Sequence, residues 1–214
     1  MNSNPHNFIA IEGPIGVGKT TLARKLAEVL GSDLILEEAE ENPFLERFYQ
    51  DPKTGALPTQ LYFLFQRVRQ LQEVRQSDMF NPVRVADYLI DKDRLFARST
   101  LDNDELRLYE QVYNNLTIDA PKPDLVIYLQ ASVPVLMERI KKRGRSAENP
   151  ITKEYLDTIC NAYTDFFFYY DQSPLLIVNA SGIDLVENEA DFNMLLEQIS
   201  RTTSGKNYFN PHPA

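Results

Sequence analysis

The stretch FIAIEGPIGVGKTT, residues 8–21, combines a short apolar segment, a glycine-rich loop and the start of an amphipathic segment. Residues 8–11 are apolar and partly β-branched, which is typical of a buried strand. Residues 20–30 carry apolar side chains at helical spacing, and Gly31 can end that helix. A strand, a glycine-rich turn and a helix in this order predict a phosphate-binding loop.

The loop itself fits the pattern G-x-x-x-x-G-K-[ST]. Its glycines allow backbone N–H groups to converge on phosphate oxygens, and the helix N-terminus adds the positive end of its dipole. The lysine can bridge the β- and γ-phosphates, and the threonine hydroxyl can bind Mg²⁺. We therefore expect an enzyme that takes the γ-phosphate of ATP. The predicted ATP-binding residues of the loop are Gly13, Pro14, Ile15, Gly16, Val17, Gly18, Lys19, Thr20 and Thr21.

Strand-like and helix-like segments alternate along the rest of the chain. This alternation predicts an α/β fold of the P-loop NTPase type, with a five-stranded parallel sheet and helices on both faces. We expect one domain over residues 1–214, with a loose tail at about 202–214. Further strands are predicted at 34–36, 82–88, 125–129 and 175–178, a turn at 51–55, and helices at 42–49, 59–76, 92–98, 103–117, 133–143, 153–170 and 188–200.

The formal net charge is −9, which argues against a dedicated binder of DNA or RNA. The single cysteine, Cys160, cannot form an internal disulfide. The two histidines, His6 and His212, are predicted to lie in terminal tails, so a histidine-based triad or zinc site is not expected. No apolar run reaches membrane-spanning length, and the polar start does not resemble a signal peptide. These features predict a cytoplasmic protein that binds no membrane.

Acidic residues follow two of the predicted strands. Glu37 ends the second strand and is followed by Glu38, Glu40 and Glu41, while Asp87 ends the third strand. Ligands of open α/β sheets bind at the carboxyl ends of the strands. A carboxylate there can orient or deprotonate an acceptor hydroxyl, and another can hold Mg²⁺. The residues alone do not decide which of the four glutamates faces the site.

Basic side chains are concentrated near the end of the helix predicted at 133–143, in an otherwise acidic chain. Such a cluster can neutralise charge on a transferring phosphoryl group if the following loop closes on ATP. We expect a lid at about residues 139–151. The cluster comprises Arg139, Lys141, Lys142, Arg143 and Arg145.

Several motifs together resemble the deoxynucleoside kinase family, in particular its bacterial deoxyadenosine and deoxyguanosine kinases. The resemblance covers nearly the whole chain. It is carried by IEGPIGVGKT at 11–20, ENPFL at 41–45, FY at 48–49, ADY at 86–88 and RGR at 143–145. It implies phosphorylation of a deoxynucleoside 5′-hydroxyl in nucleotide salvage, with ATP and Mg²⁺, by a homodimer whose interface could involve the helices at 59–76 and 103–117.

The resemblance also implies roles for individual residues. Glu37 matches the catalytic base, and Lys19 with the lid arginines Arg139, Arg143 and Arg145 matches the groups around the phosphates. Tyr49 and Glu148 match residues that contact the sugar 3′-hydroxyl. Gln60 matches an amide that reads the base edge; an amide has both a donor and an acceptor, so it can pair with adenine or cytosine. Arg67 matches an arginine of the base pocket, and Asp87 an acid next to substrate and metal.

Two departures from the family pattern concern the third strand and the residues after it. Many animal members carry Glu-Arg-Ser where this chain has Ala86-Asp87-Tyr88, so the acid is displaced by one position and the arginine has no counterpart. An acid that helps to read the base in some members aligns with Lys92, between Asp91 and Asp93. The preferred base therefore stays open among adenine, cytosine and guanine, and a donor other than ATP is also possible.

Two alternative functions are compatible with the same loop. A nucleoside monophosphate kinase would need an arginine for the acceptor phosphate, which Arg47 or Arg67 could supply, but the glutamates at 37–41 would repel that phosphate. A nucleotide-binding regulatory protein without turnover would explain the altered third-strand motif. The intact Lys19, Thr20 and Glu37 argue against it.

Overall fold

The computed structural model describes residues 5–76, 83–117, 120–183 and 188–211. Strands and helices alternate along the chain, as predicted. The elements are β1 (Phe8–Glu12), α1 (Lys19–Leu30), β2 (Asp33–Ile35), α2 (Leu45–Gln50), α3 (Pro52–Gln76), β3 (Arg84–Ala86), α4 (Lys92–Thr100), α5 (Asn103–Leu116), β4 (Leu125–Gln130), α6 (Val133–Arg143), α7 (Lys153–Tyr169), β5 (Leu175–Asn179), α8 (Glu189–Arg201) and β6 (Lys206–Phe209).

The strands form one parallel sheet in the order β2-β3-β1-β4-β5-β6. Side chains alternate between its two faces, because successive residues of a strand point in opposite directions. Ile9 and Ile11 pack on one face against α1, α6 and α8, whereas Ala10 packs on the other face against α4 and α7. The sheet is thus covered by helices on both sides, and β1 with its following loop lies near its centre.

The C-terminal segment differs from the prediction. The sheet has six strands rather than five, because β6 lies inside the segment predicted to be a loose tail. Phe209 is buried beside the core next to β5, while Tyr208 is exposed. One buried side chain in a short polar segment is a weak periodic signal, so the strand could not be recognised from its pattern. Residues 212–214, including His212, lie outside the described residues.

The N-terminal histidine is also placed differently from the prediction. His6 is buried, and its Nε2 lies 3.1 Å from the carbonyl oxygen of Ile199 in α8. His6 is therefore held against the last helix instead of lying in a tail. Among the described residues, none of the helices has the length and apolar character needed to cross a bilayer.

Helix α3 begins at Pro52, seven residues earlier than predicted, so the expected turn at 51–55 is the first turn of this helix. Asp51 stabilises this start by accepting hydrogen bonds from the backbone of Lys53 and Gly55. Proline at the first helical position costs little, because its missing N–H would have no partner there. A Cβ on Gly55 would meet the Phe48 backbone at 2.6 Å, so this glycine permits close packing of α2 on α3.

Candidate active site

The phosphate-binding loop follows β1 and leads into α1, as predicted. Gly13, Gly16 and Gly18 have φ angles of 149°, 84° and 107°, which favour glycine. A Cβ on Gly16 would meet Ile140 Cγ1 at 2.8 Å and the Leu136 carbonyl at 3.0 Å. Gly18 caps α1 without a side-chain acceptor, so no capping side chain occupies the helix N-terminus. This end of the helix is therefore available to phosphate oxygens.

A cavity of about 450 Å³ opens beside this loop. Gly16, Lys19 and Thr20 form part of its wall, and Gln60 and Arg67 of α3 form another part. The volume lies within the range typical of small-molecule sites. Aromatic side chains complete the lining; those of Phe48, Tyr49, Phe63, Phe96, Tyr155 and Tyr163 contribute. The predicted residues Ile15, Glu37, Asp87, Arg143, Arg145 and Glu148 also line this cavity.

Glu37 lies two residues after β2, at the carboxyl end of the sheet, and lines the cavity. Its Oε2 accepts a hydrogen bond from Lys92 Nζ at 2.7 Å, and its Oε1 accepts one from the Arg67 guanidinium. Burial alone would raise the pKa of Glu37, but the charges of Arg67 and Lys92 outweigh burial and bring the pKa well below its usual range. The carboxylate is consequently ionised at neutral pH.

Asp87 directly follows β3, the neighbour of β2, and connects Glu37 to the phosphate-binding loop. Its Oδ1 accepts from the Glu37 backbone N–H at 2.7 Å, and its Oδ2 accepts from the Thr20 hydroxyl at 2.5 Å. Burial raises the pKa of Asp87, although both hydrogen bonds act in the opposite direction. Thr20 and Asp87, the two predicted metal ligands, are thus brought together. Their hydroxyl and carboxylate oxygens are the ligands that Mg²⁺ prefers.

Lys19 begins α1, and its ammonium is turned back toward the loop. The Nζ donates to the carbonyl oxygens of Gly13 at 2.7 Å and Pro14 at 3.3 Å. Burial, followed by repulsion from Lys92, lowers the pKa of Lys19. These carbonyl contacts hold the ammonium at the loop, where a bound triphosphate could replace them.

The lid arginines occupy two different environments. Arg143 donates to both carboxylate oxygens of Glu148, at 3.2 and 2.5 Å, and Arg145 Nε lies 3.0 Å from Glu40 Oε1 across the cavity mouth. Arg139 instead donates to the backbone carbonyls of Val17 and Ala180, at 3.2 and 2.8 Å. Arg139 therefore binds the backbone of the phosphate-binding loop, whereas Arg143 and Arg145 line the cavity.

The residues predicted for sugar and base are grouped in the same cavity. Tyr49 and Glu148 lie near each other there; burial raises the pKa of Tyr49, and Tyr155 and the negative charge of Glu148 add to that effect. Gln60 and Arg67 are both buried on α3. The cavity thus contains each predicted substrate residue.

Three functional side chains were missed or misassigned from the sequence. Asp93, and not the aligned Lys92, forms the ion pair with Arg67. Lys92 places a cation at Glu37, although the arginine of the family motif has no counterpart in sequence. Glu12, fully buried at the end of β1, accepts from the backbone of Gly13 and Leu89 and from the Tyr163 hydroxyl. An acid at the end of an apolar strand was the only available signal for Glu12.

Comparison with known proteins agrees with the motifs and the site. The family model described as deoxynucleoside kinase matches residues 9–204. The chain belongs to the deoxynucleoside kinase family. It is 39% identical over 207 residues to the deoxyguanosine kinase of Bacillus subtilis, covering 93% of this chain and 98% of that protein. It is 33% identical over 205 residues to the deoxyadenosine kinase of Lactobacillus acidophilus, covering 89% and 94%.

Solved structures show the same relationship. The deoxyadenosine kinase of M. mycoides with bound dATP superimposes with a TM-score of 0.78 at 30% identity, covering 91% of this chain and 99% of that one. The fold and family predicted from the sequence are thus confirmed. Family membership makes this chain a phosphotransferase that phosphorylates deoxynucleosides with ATP, the first of the three functions compatible with its phosphate-binding loop.

Proposed function

We propose that the cavity binds a deoxynucleoside with its 5′-hydroxyl at Glu37, facing a triphosphate held by the loop at 13–21. The observation that carries this proposal is the position of Glu37. Its carboxylate lines the same cavity as Gly16, Lys19 and Thr20, and Asp87 links its backbone to Thr20 through two hydrogen bonds. An acceptor hydroxyl at Glu37 and a phosphate at the helix N-terminus would therefore be neighbours.

Glu37 acts mainly by orienting the hydroxyl. The 5′-oxygen forms a bond to the γ-phosphorus while the bond from that phosphorus to the β–γ bridging oxygen breaks, and ADP leaves with the electron pair. The hydroxyl proton passes to Glu37. Because the pKa of Glu37 is low, this transfer belongs late in the reaction, when the hydroxyl has become acidic through its bond to phosphorus. A loose transition state is compatible with such a weak base.

Positive charge around the transferring phosphoryl group comes from Lys19, Arg143 and Arg145. Lys19 exchanges its bonds with the Gly13 and Pro14 carbonyls for bonds to phosphate oxygens. Arg139 holds the loop through Val17 and Ala180. Thr20 and Asp87 would hold Mg²⁺, which would offset the negative charge of the phosphate oxygens.

Tyr49 and Glu148 bind the sugar 3′-hydroxyl, and Gln60 and Arg67 face the base. We propose a purine deoxynucleoside as the preferred acceptor. The relatives in B. subtilis and L. acidophilus are named for deoxyguanosine and deoxyadenosine. A Gln side chain can donate and accept on one purine edge, as it does with N6 and N7 of adenine.

The test is ADP release from Mg·ATP with purified protein, using each deoxynucleoside and each deoxynucleoside monophosphate as acceptor. The proposal predicts that deoxyguanosine or deoxyadenosine has the highest kcat/KM, and that Gln60→Leu lowers this value mainly through KM. Gln50→Leu, the same substitution at an exposed glutamine of α2, is the matched control. A preference for a pyrimidine would contradict the base assignment, and turnover of monophosphates alone would contradict the placement of the acceptor hydroxyl.

We also propose a homodimer that is formed through α3 and α5. These helices share an apolar cluster with each other, and each retains an exposed apolar side chain, Phe65 on α3 and Leu108 on α5. Light scattering after size exclusion tests the assembly: a dimer is expected for the unchanged chain, and a shift toward monomer for Phe65→Asp combined with Leu108→Asp.

A further inference from the structure

Lys92, the first residue of α4, is a buried lysine. Its side chain is 5% exposed, and its Nζ lies 2.7 Å from Glu37 Oε2. Lysine is almost never fully buried unless its charge is paired. The partner of Lys92 is distant in sequence, because Glu37 and Lys92 are 55 positions apart. The fold therefore brings α4 to the carboxyl end of β2 with a cation aimed at one oxygen of Glu37.

The other oxygen of Glu37 is held from a different helix. Arg67 of α3 bonds to Glu37 Oε1 with one guanidinium nitrogen and to Asp93 with another. Arg67, Lys92 and Asp93 are each less than 6% exposed, and Glu37 is 16% exposed. Two acids and two bases thus form a closed cluster with no formal net charge. Glu37 is the most exposed member of the cluster and lines the cavity.

Such a cluster is a poor way to stabilise a fold. Desolvation of buried charges often outweighs their attraction, and apolar residues of similar size frequently stabilise a protein equally well. The arrangement does have a geometric consequence. A carboxylate oxygen can accept two hydrogen bonds, so each Glu37 oxygen that binds one cation keeps a second site for a hydroxyl. With one oxygen held from α3 and the other from α4, the plane of the carboxylate is fixed.

We infer that Lys92 is a positioning residue for Glu37: its ammonium fixes Oε2 and so aims the carboxylate at the acceptor 5′-hydroxyl. The inference rests on the proposed role of Glu37 and extends it to a residue with no assigned role. Lys92 acts through Glu37. A substitution of Lys92 should therefore lower the activity of a chain that has Glu37, but should add little to the loss in a chain that carries Glu37→Gln.

Other charged groups also face Glu37. The cations are Arg67 of α3, Lys92 of α4 and Lys19 of α1, and the facing acid is Asp87 after β3. Removal of Lys92 leaves Oε2 of Glu37 without its ammonium donor, while Arg67 still holds Oε1. The carboxylate then has one fixed oxygen instead of two, so the acceptor hydroxyl is oriented less well and kcat is affected more than KM.

The experiment compares Lys92→Met, Lys92→Arg, Glu37→Gln and the double variant Glu37→Gln, Lys92→Met with the unchanged chain, measuring kcat and the KM for the deoxynucleoside at neutral pH. Lys153→Met is the matched control, because Lys153 is also the first residue of a helix and is exposed. Circular dichroism checks that each variant is folded. Lys92→Gln, which keeps a hydrogen-bond donor without the charge, replaces Lys92→Met if the latter does not fold.

We expect Lys92→Met to lower kcat by about 10- to 100-fold, with a smaller change in KM. Lys92→Arg restores most of the rate. In the double variant Glu37→Gln, Lys92→Met, the lysine substitution adds little to the loss caused by Glu37→Gln.

An unchanged kcat in Lys92→Met, a loss that Lys92→Arg does not restore, or losses that multiply in the double variant would overturn the inference. A Glu37→Gln variant with unchanged kcat would instead overturn the proposed function, whatever the lysine variants show. The two failures are therefore distinguishable in one set of measurements.

Discussion

Glu37, the proposed general base, combines a low pKa with a fixed position, and the two properties have the same cause. Arg67 and Lys92 hold the carboxylate in place, and their charges make it a weak proton acceptor. This combination suits phosphoryl transfer, in which orientation and charge neutralisation contribute more than early proton removal. At the scale of single residues, the site is built for positioning.

Asp87 is the residue on which the metal proposal depends. We expect Asp87→Asn to raise the Mg²⁺ concentration needed for half-maximal activity by about 10-fold or more, because one charged oxygen ligand is lost beside Thr20. Mg²⁺ titration of initial rates at saturating ATP measures this. Asp157→Asn, at an exposed position of α7, is the control. An unchanged Mg²⁺ requirement in Asp87→Asn would place the metal elsewhere.

Sequence patterns did not predict the ion pairs of the site, because their partners are distant in sequence. Gln60 and Arg67 could be placed on one helix face by their spacing, and Glu37 and Asp87 at strand ends by the parallel sheet. Asp93 and Lys92 could not be distinguished in the same way, because their roles depend on which of two neighbouring side chains faces Arg67 and which faces Glu37. Packing of α4 against α3 decides that, and no local pattern records it.

At the scale of elements, the loop between β1 and α1 is packed against α6 as well as open to a ligand. Gly16 has little room on its protein side, because a Cβ would meet Ile140 and Leu136. This contact couples the phosphate-binding loop to α6, the helix that carries Arg139 and Arg143.

Gly16→Ala should displace the loop, because alanine is strained at a φ of 84° and its methyl group overlaps α6. We expect kcat/KM for ATP to fall on the order of 100-fold, since small displacements of a phosphate site have large effects. Gly182→Ala has no neighbour within 4 Å of the added Cβ and serves as the control. Equal kcat/KM values in both variants would show that the loop tolerates the contact.

Elements with strong local patterns were predicted well, and those shaped by packing were not. The strand at 125–129 is a continuous run of apolar residues. The helix at 103–117 has helical periodicity, and the capping box of Asp102 and Glu105 marks its start. The start of α3 was missed because Pro52 and Gly55 resemble a turn in sequence. In the structure, Pro52 is the first residue of the helix and Gly55 allows close contact with α2, so the segment is helical.

At the scale of the whole molecule, the sheet extends to the C-terminal segment through β6. This strand lies at the sheet edge and pairs only with β5 among the described strands. Its contribution to stability therefore depends on the side chain that it buries, Phe209.

Phe209→Ala should lower the free energy of unfolding by about 3 kcal/mol, because it removes a large apolar side chain from the edge of the core. Tyr208→Ala, at the adjacent and 75% exposed position, should change it by less than about 0.5 kcal/mol. Urea unfolding followed by circular dichroism measures both. Similar destabilisation by both substitutions would mean that β6 does not bury Phe209. We expect kcat to be unchanged in either folded variant, since β6 is remote from the cavity-lining residues.

We expect Glu37, and none of the three glutamates that follow it, to receive the acceptor hydroxyl. The direct measurement is kcat with saturating Mg·ATP and deoxynucleoside for Glu37→Gln, Glu38→Gln, Glu40→Gln and Glu41→Gln, each checked for folding. We predict a loss of about 10²- to 10⁴-fold for Glu37→Gln and changes of only a few-fold for the others. A large loss in one of the other variants, with kcat retained in Glu37→Gln, would mean that a different glutamate receives the acceptor hydroxyl.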